Sequence, residues 1–166
     1  MAEKLVSHVA IFIILRNEDD EILLQQRANT GYHDGYYDFA CSGHVDEGES
    51  IHEAAVRELQ EELNVVADPA DLHLVHINQN FMDTPYMNFT FTLNKWHGTP
   101  IIQEPHKCSD LRYFSPTKLP ELCTLNVRVN EAHGFSDTLS FSKVTPDVYR
   151  ELMKESALEP YASMGL

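Results

Sequence analysis

SGHVDEGESIHEAAVRELQEELNV, residues 42–65, crowds acidic side chains around a single arginine, and Glu58, Glu61 and Glu62 stand almost side by side. Ser50 and Glu53 form an S-x-x-E capping box, which predicts a helix from Ser50 to about Leu63. Asn64 is then well placed at its C-terminal turn, since asparagine tolerates the left-handed conformation second only to glycine. Advancing about 100° per residue from Glu58 puts Ala55, Val56, Leu59 and Leu63 on one stripe that faces the core. Glu53, Arg57, Gln60 and Asn64 gather opposite it. Glu58, Glu61 and Glu62 occupy a third sector beside the buried stripe. Glu58 and Glu62 are four residues apart, a destabilising spacing for like charges in a plain helix. An acidic solvated face is the ordinary reading of such a run. A hard divalent cation explains the crowding better, because Mg²⁺ takes oxygen ligands and keeps coordination positions for a substrate.

Outward from this helix, the chain reads as one layered α/β or α+β domain over residues 1–166. HVAIFIIL (8–15) is a buried strand, and EILLQQR (21–27) pairs with it as a hairpin across RNEDDE. ANTGYHDGYYD (28–38) is a turn-rich surface loop, after which FACSG re-enters the core. LHLVHIN (72–78) and YMNFTFTLNKW (86–96) are further strands. In the second, Phe89, Phe91 and Leu93 alternate with Thr90, Thr92 and Asn94, which predicts one buried face and one solvated face. DLRYFSP is a short strand ended by Pro116, and ELCTLNVRVNEAHG is a helix closed by Gly134. A last helix opens at Thr145 and Pro146 and continues to about residue 157, packed on the domain.

Composition narrows the class of function. Hydrophobic residues make up 43% and charged residues 23% of the 166-residue chain, values of an ordinary globular domain. No apolar run approaches the roughly 20 residues needed to span a bilayer, so a soluble, cytoplasmic protein is expected. Cys41, Cys108 and Cys123 are widely spaced and read as reduced thiols. With 12 Lys+Arg against 26 Asp+Glu, the net charge of -14 repels a nucleic-acid polymer. If the partner is anionic, something other than the protein's own charge must bring it in.

The spaced pattern G-x5-E-x7-R-E-U-x-E-E-x-G-U, with U aliphatic, is present as Gly43, Glu49, Arg57, Glu58, Leu59, Glu61, Glu62 and Val65. In this the chain resembles the Nudix hydrolases. Asn64 replaces the usual glycine, a mild departure where a left-handed residue is what the backbone requires. The resemblance implies an α/β/α sandwich with a mixed β-sheet, and hydrolysis of a diphosphate linked to another moiety with Mg²⁺ or Mn²⁺ as cofactor. It further implies Glu58, Glu61 and Glu62 as metal ligands, with Glu58 near the attacking water, and the carbonyl of Gly43 as a further ligand. Glu49 and Arg57 would brace the loop against the helix. The substrate so implied is a small nucleoside triphosphate or nucleoside diphosphate derivative, and a homodimer is allowed.

Outside the pattern, Arg27 is the candidate for direct phosphate contact, weighed against an ion pair to one of the pattern's carboxylates, and Lys107 is a weaker candidate. Glu104 and Asp110 lie where some family members supply an extra acidic ligand or base. Tyr37, Phe81, Tyr86 and Trp96 are candidates to stack a nucleobase, against plain packing. His44 and His52 flank the carboxylates without being assigned to the metal. Cys41 brings in a competing reading, since a diphosphate isomerase that shares this fold uses a catalytic cysteine there; a small buried thiol is the simpler reading. A third reading, an inactive nucleotide-binding module, would expect the acidic triad to be broken, and it is intact.

Overall fold

A computed structural model describes residues 2–153. Strand β1 (His8–Leu15) lies inside a five-stranded mixed sheet with β4 (Cys41–His44), β5 (His73–Asn80), β6 (Tyr86–Leu93) and β8 (Ser140–Val144), in the order β4-β1-β6-β5-β8. β1 runs parallel to β6 and antiparallel to β4; β5 is antiparallel to β6 and parallel to β8. A second sheet, β3-β2-β7, is antiparallel and uses β2 (Ile22–Arg27), β3 (Tyr37–Phe39) and β7 (Cys108–Phe114). The fold is the α/β sandwich with a mixed sheet that the resemblance implied.

Alternation along β1 shows how the layers form. Ile11, Ile13 and Leu15 face helix α1 (Ile51–Leu63), where they pack with Ala54, Ala55, Leu59 and Leu63. Ala10, Phe12 and Ile14 point the other way, into a core shared with Leu24, Phe39 and Val127 of helix α2 (Leu125–Ala132). The continuous apolar run is thus explained by burial on both faces.

Several expectations needed correction. The β1–β2 hairpin closes only at its root, where Arg16 and Ile22 bridge; beyond it β2 leaves for the second sheet. The threonine face of β6 is not solvated: Asn88, Thr90 and Thr92 are buried, because β6 is an interior strand with a core on both sides. β8 has no counterpart in the sequence reading. Helix α3 (Pro146–Met153) opens at Pro146 as expected, while its anticipated extension over positions 154–157 lies outside the described residues. Among the described residues no helix is long and apolar enough to cross a membrane.

Candidate active site

Helix α1 is capped as its sequence dictates. Ser50 accepts from the Glu53 amide while the Glu53 carboxylate reaches back to the Ser50 amide, and Asn64 closes the C-terminus at φ 55°, ψ 39°. Its buried stripe includes Ala54 in place of Val56, which is only half-buried. The core therefore extends under the carboxylate sector, and Glu58 and Glu62 are drawn in with it.

Arg57 is where the helical wheel misled. Its Cα lies away from the carboxylates, but its long side chain folds back among them. Nε and Nη2 make a two-pronged pair with Glu49 at 2.8 and 2.9 Å, and Nη2 also donates to the carbonyl of His44 at 3.0 Å. That is the expected bracing of loop against helix. Nη1 in addition donates to Glu58 Oε1 at 2.6 Å and to Glu61 Oε2 at 3.3 Å. Part of the crowding is thus relieved by Arg57 itself. The pairing holds Glu49 below the usual carboxylate range and raises the guanidinium above its own.

The three glutamates are not equivalent. Glu61 is 59% exposed. Glu58 is 13% exposed, and its Oε1 lies against Gly43, where a Cβ would stand only 2.0 Å away. Glu62 points into β4, accepting from the Ser42 amide at 2.9 Å. Burial raises the pKa of Glu58 despite the opposing pull of Arg57. Burial pushes Glu62 up to about 8, and the charges of Glu58 and Glu104 add to that rise. Among the described residues, no three acidic, histidine or cysteine side chains converge closely enough to hold a metal ion as they stand. Two desolvated carboxylates beside β4, one of them resting on Gly43 where a side chain would displace it, nevertheless fit a hard cation, because such a charge offsets the cost that burial imposes on both.

Beside Glu62 opens a cleft of about 150 Å³ whose lining includes Arg27, Ser42, Glu62, Glu104 and Lys107. It thus gathers four residues singled out separately in the sequence. Lys107 is paired with Glu104 at 2.8 Å, which raises its pKa. Arg27 is not bound to a carboxylate of α1; its nearest acidic partner is Asp38, at 3.9 Å. Asp110 lies elsewhere, accepting from Tyr37 at 2.6 Å and from Arg112.

The candidate aromatic residues are spread out. Tyr37 packs in the second core, Trp96 against the first, and Phe81 under Lys143. His44 bonds the Tyr86 hydroxyl at 3.0 Å, and the ring of His52 meets Phe91 edge-on. Cys41 is fully buried and its thiol is raised well above its ordinary range by burial and by the Glu62 and Glu58 charges, which argues against a thiolate nucleophile.

A second pocket, of about 350 Å³, was missed in the sequence. Phe12, Tyr32, Met82 and Tyr86 line it together with the amides of Asn80, Asn88 and Asn126. Asn88 donates to Asn126 Oδ1 at 3.2 Å, while its own buried Oδ1 has no hydrogen-bond partner. One strand pair contributes to both pockets, since Phe12 of this pocket sits directly opposite Ser42 of the cleft. Tyr86, a stacking candidate from the sequence, does line it; a further signal was Asn88, in step with Thr90 and Thr92 on a face read as solvated.

The profile of the NUDIX domain matches residues 6–132. The 8-oxo-dGTP diphosphatase of Haemophilus influenzae is 34% identical over 135 residues, covering 74% of this chain and 91% of that protein. The crystal structure of a MutT NUDIX hydrolase from Burkholderia pseudomallei superposes with a TM-score of 0.70 at 21% identity, covering 77% of this chain and 98% of that one. An isopentenyl-diphosphate Delta-isomerase of Halorhodospira halophila is 42% identical, but over only 36% of this chain and 34% of its own length. The chain belongs to the NUDIX family and is a Nudix hydrolase related to MutT.

Proposed function

We propose that this protein is a divalent-metal-dependent pyrophosphohydrolase of a nucleoside triphosphate or a nucleoside diphosphate derivative. The observation that carries the reading is the cleft, where the raised carboxylate of Glu62 and the cations Arg27 and Lys107 face one another beside a separate amide-lined pocket. Glu58, Glu61, Glu62 and the Gly43 carbonyl are the groups that would hold Mg²⁺ or Mn²⁺. Once bound, the ion supplies charge neutralisation of the diphosphate and Lewis-acid activation. Arg27 offers a planar fork of donors to phosphate oxygens, and Lys107 a point charge once it leaves Glu104. Arg57 occupies Oε1 of Glu58, which leaves Oε2 to take a proton from the attacking water. Arg57 acts by holding Glu58 and the loop through Glu49. The amide pocket suits a heteroaromatic base, with side-chain amides in its lining to meet polar edges and aromatic walls to pack its faces.

The similarity to an 8-oxo-dGTP diphosphatase supports a nucleotide and makes 8-oxo-dGTP a compound to include in a screen. Nucleoside triphosphates, nucleotide sugars, dinucleoside polyphosphates and isoprenoid diphosphates are offered with Mg²⁺, and the products are identified. Release of phosphate, pyrophosphate or a nucleoside monophosphate is expected. Glu58→Gln should lower turnover roughly 10²–10⁴-fold while circular dichroism stays unchanged. Wild-type rates in that variant, or full activity in excess chelator, would falsify the reading. Conversion of an isoprenoid diphosphate without loss of phosphate would establish the isomerase instead, a result that the burial of Cys41 argues against.

A further inference from the structure

Arg27 ends β2 and turns its guanidinium onto the segment 28–36. Nε donates to the carbonyl of Tyr32 at 2.9 Å, Nη2 donates to Thr30 Oγ1 at 3.1 Å, and the Tyr32 ring lies 5.6 Å from Cζ. Behind it stands Asp38, a carboxylate buried on β3, with Oδ2 3.9 Å from Nη1. Thr30 lines the phosphate-sized cleft and Tyr32 lines the amide pocket. One side chain therefore holds a wall residue of each.

Among the described residues, backbone bonds tie the ends of this segment to its surroundings: Ala28 donates to the Lys107 carbonyl, Gly35 to the Arg27 carbonyl, and Arg27 to the Tyr36 carbonyl, while the Asn29 side chain donates to the His106 carbonyl and the Gln26 side chain to that of Gly35. Its middle is knit to itself, with the Asp34 carboxylate accepting from the Thr30 amide, the Thr30 hydroxyl and the Gly31 amide. Arg27 joins this internally bonded turn to the sheet.

We propose that Arg27, set from behind by Asp38, is a positioning residue that couples the two pockets: fixing its guanidinium in the cleft fixes Tyr32 in the wall of the base pocket. The coupling rests on the phosphate role given to Arg27 above, whereas the anchoring of segment 28–36 does not. A guanidinium can keep Tyr32 and Thr30 on one edge while its remaining N–H groups face an anion. A lysine ammonium is a single point and cannot hold that arrangement. Occupancy of the cleft then orders the neighbouring wall, and by linkage a base in its pocket tightens the grip on the diphosphate.

Hydrogen exchange across residues 28–36 tests both parts, using the full chain with and without inorganic pyrophosphate and Mg²⁺. Without ligand, Arg27→Lys should speed exchange at the amides of Tyr32 to Gly35 roughly tenfold, with α1 unaffected. Exchange at the wild-type rate overturns the anchoring. Pyrophosphate should slow the same amides in the wild type and leave those of Arg27→Lys unprotected; equal protection in both overturns the coupling. Asp38→Asn separates positioning from plain charge. Removing a negative charge beside an anion site strengthens anion binding by Coulomb's law alone, whereas loss of positioning weakens it. Pyrophosphate binding several-fold weaker by calorimetry is expected, and binding as tight as or tighter than wild type refutes the role of Asp38. Failure of the wild type to hydrolyse any nucleotide would count against the proposed activity, yet leave the ligand-free exchange result standing.

Discussion

Two polar clusters sit at opposite edges of the five-stranded sheet, and they are built on opposite principles. At the β8 edge, His76 is buried, with Ser140 Oγ 2.7 Å from Nδ1 and Ser142 Oγ 2.8 Å from Nε2, while Ser142 donates onward to Asn78 at 3.0 Å. A neutral ring protonated at Nε2 satisfies both ring nitrogens, with Ser140 donating to Nδ1, and the group left without a partner, Asn78 Nδ2, is uncharged. That cluster is electrically closed. At the β4 edge, Glu58 and Glu62 are desolvated carboxyls whose ionisation is opposed by burial, and Arg57 offsets that cost directly only at Glu58. Both clusters cost desolvation. Only the second holds buried carboxyls whose ionised form a cation would stabilise, and the metal role proposed for Glu58 and Glu62 rests on that contrast.

The largest effect expected at the open edge comes from a methyl group. Gly43→Ala places a Cβ 2.0 Å from Glu58 Oε1, so the carboxylate must swing away from the β4 backbone. Displacements of about 1 Å at a reacting group cost roughly 10²-fold, and turnover should fall by that order while the melting temperature moves little. Unchanged turnover would mean that Glu58 has no need of its place beside Gly43, and the comparison between the two edges would lose its functional half.

The same contrast explains what the sequence disclosed. Residues 43–65 were legible because local rules decide them: a capping box, a 3.6-residue stripe and a left-handed terminus all act within a few positions. Arg57 shows the limit of such rules, since a wheel places the Cα and not the end of a long side chain. The amide pocket was illegible because Phe12, Asn80, Asn88 and Asn126 meet only through strand order, and nothing local reveals that β6 is an interior strand. For the same reason β2 read as a partner of β1. The two are adjacent in sequence and joined by a tight turn, yet Leu24 pairs with Phe39 and Arg112 in a separate sheet.

At the closed edge the expected effect is on stability alone. His76→Leu leaves Ser140 and Ser142 without their shared partner and should cost about 2 kcal/mol in denaturant unfolding, with turnover per folded molecule unchanged. Loss of turnover would tie this edge to the site and blur the distinction. A pH series of unfolding sharpens it, because the two clusters carry opposite signs. Burial, aided by His133, lowers His76 from 6.5 to about 4 in the fold. Its contribution is therefore complete above pH 6.5 and is lost as pH falls toward 4. Glu62 is raised from 4.5 to about 8, so its contribution is complete below pH 4.5 and is lost as pH rises through about 8. His76→Leu should reduce the acid slope, to which the lowered Glu49 also contributes, and Glu62→Gln the alkaline one, to which the raised Glu58 also contributes. Added Mg²⁺ should flatten only the alkaline side.

The smallest effect is expected at the one position where the Nudix pattern is broken. Asn64 carries the helix terminus in the left-handed region, its amide donating to the Gln60 and Leu59 carbonyls. Glycine would adopt that conformation without Cβ strain but would also gain freedom in the unfolded chain. The exposed bond from Gln60 Nε2 to Asn64 Oδ1, at 3.0 Å, would be lost as well. These terms oppose one another, so Asn64→Gly should change unfolding free energy by no more than about 0.5 kcal/mol and leave turnover alone. A large loss would show that the asparagine side chain, and not the backbone angle, closes α1. The angle is the firmer expectation, because the carbonyls at the end of the helix are met by backbone amides that any left-handed residue would supply.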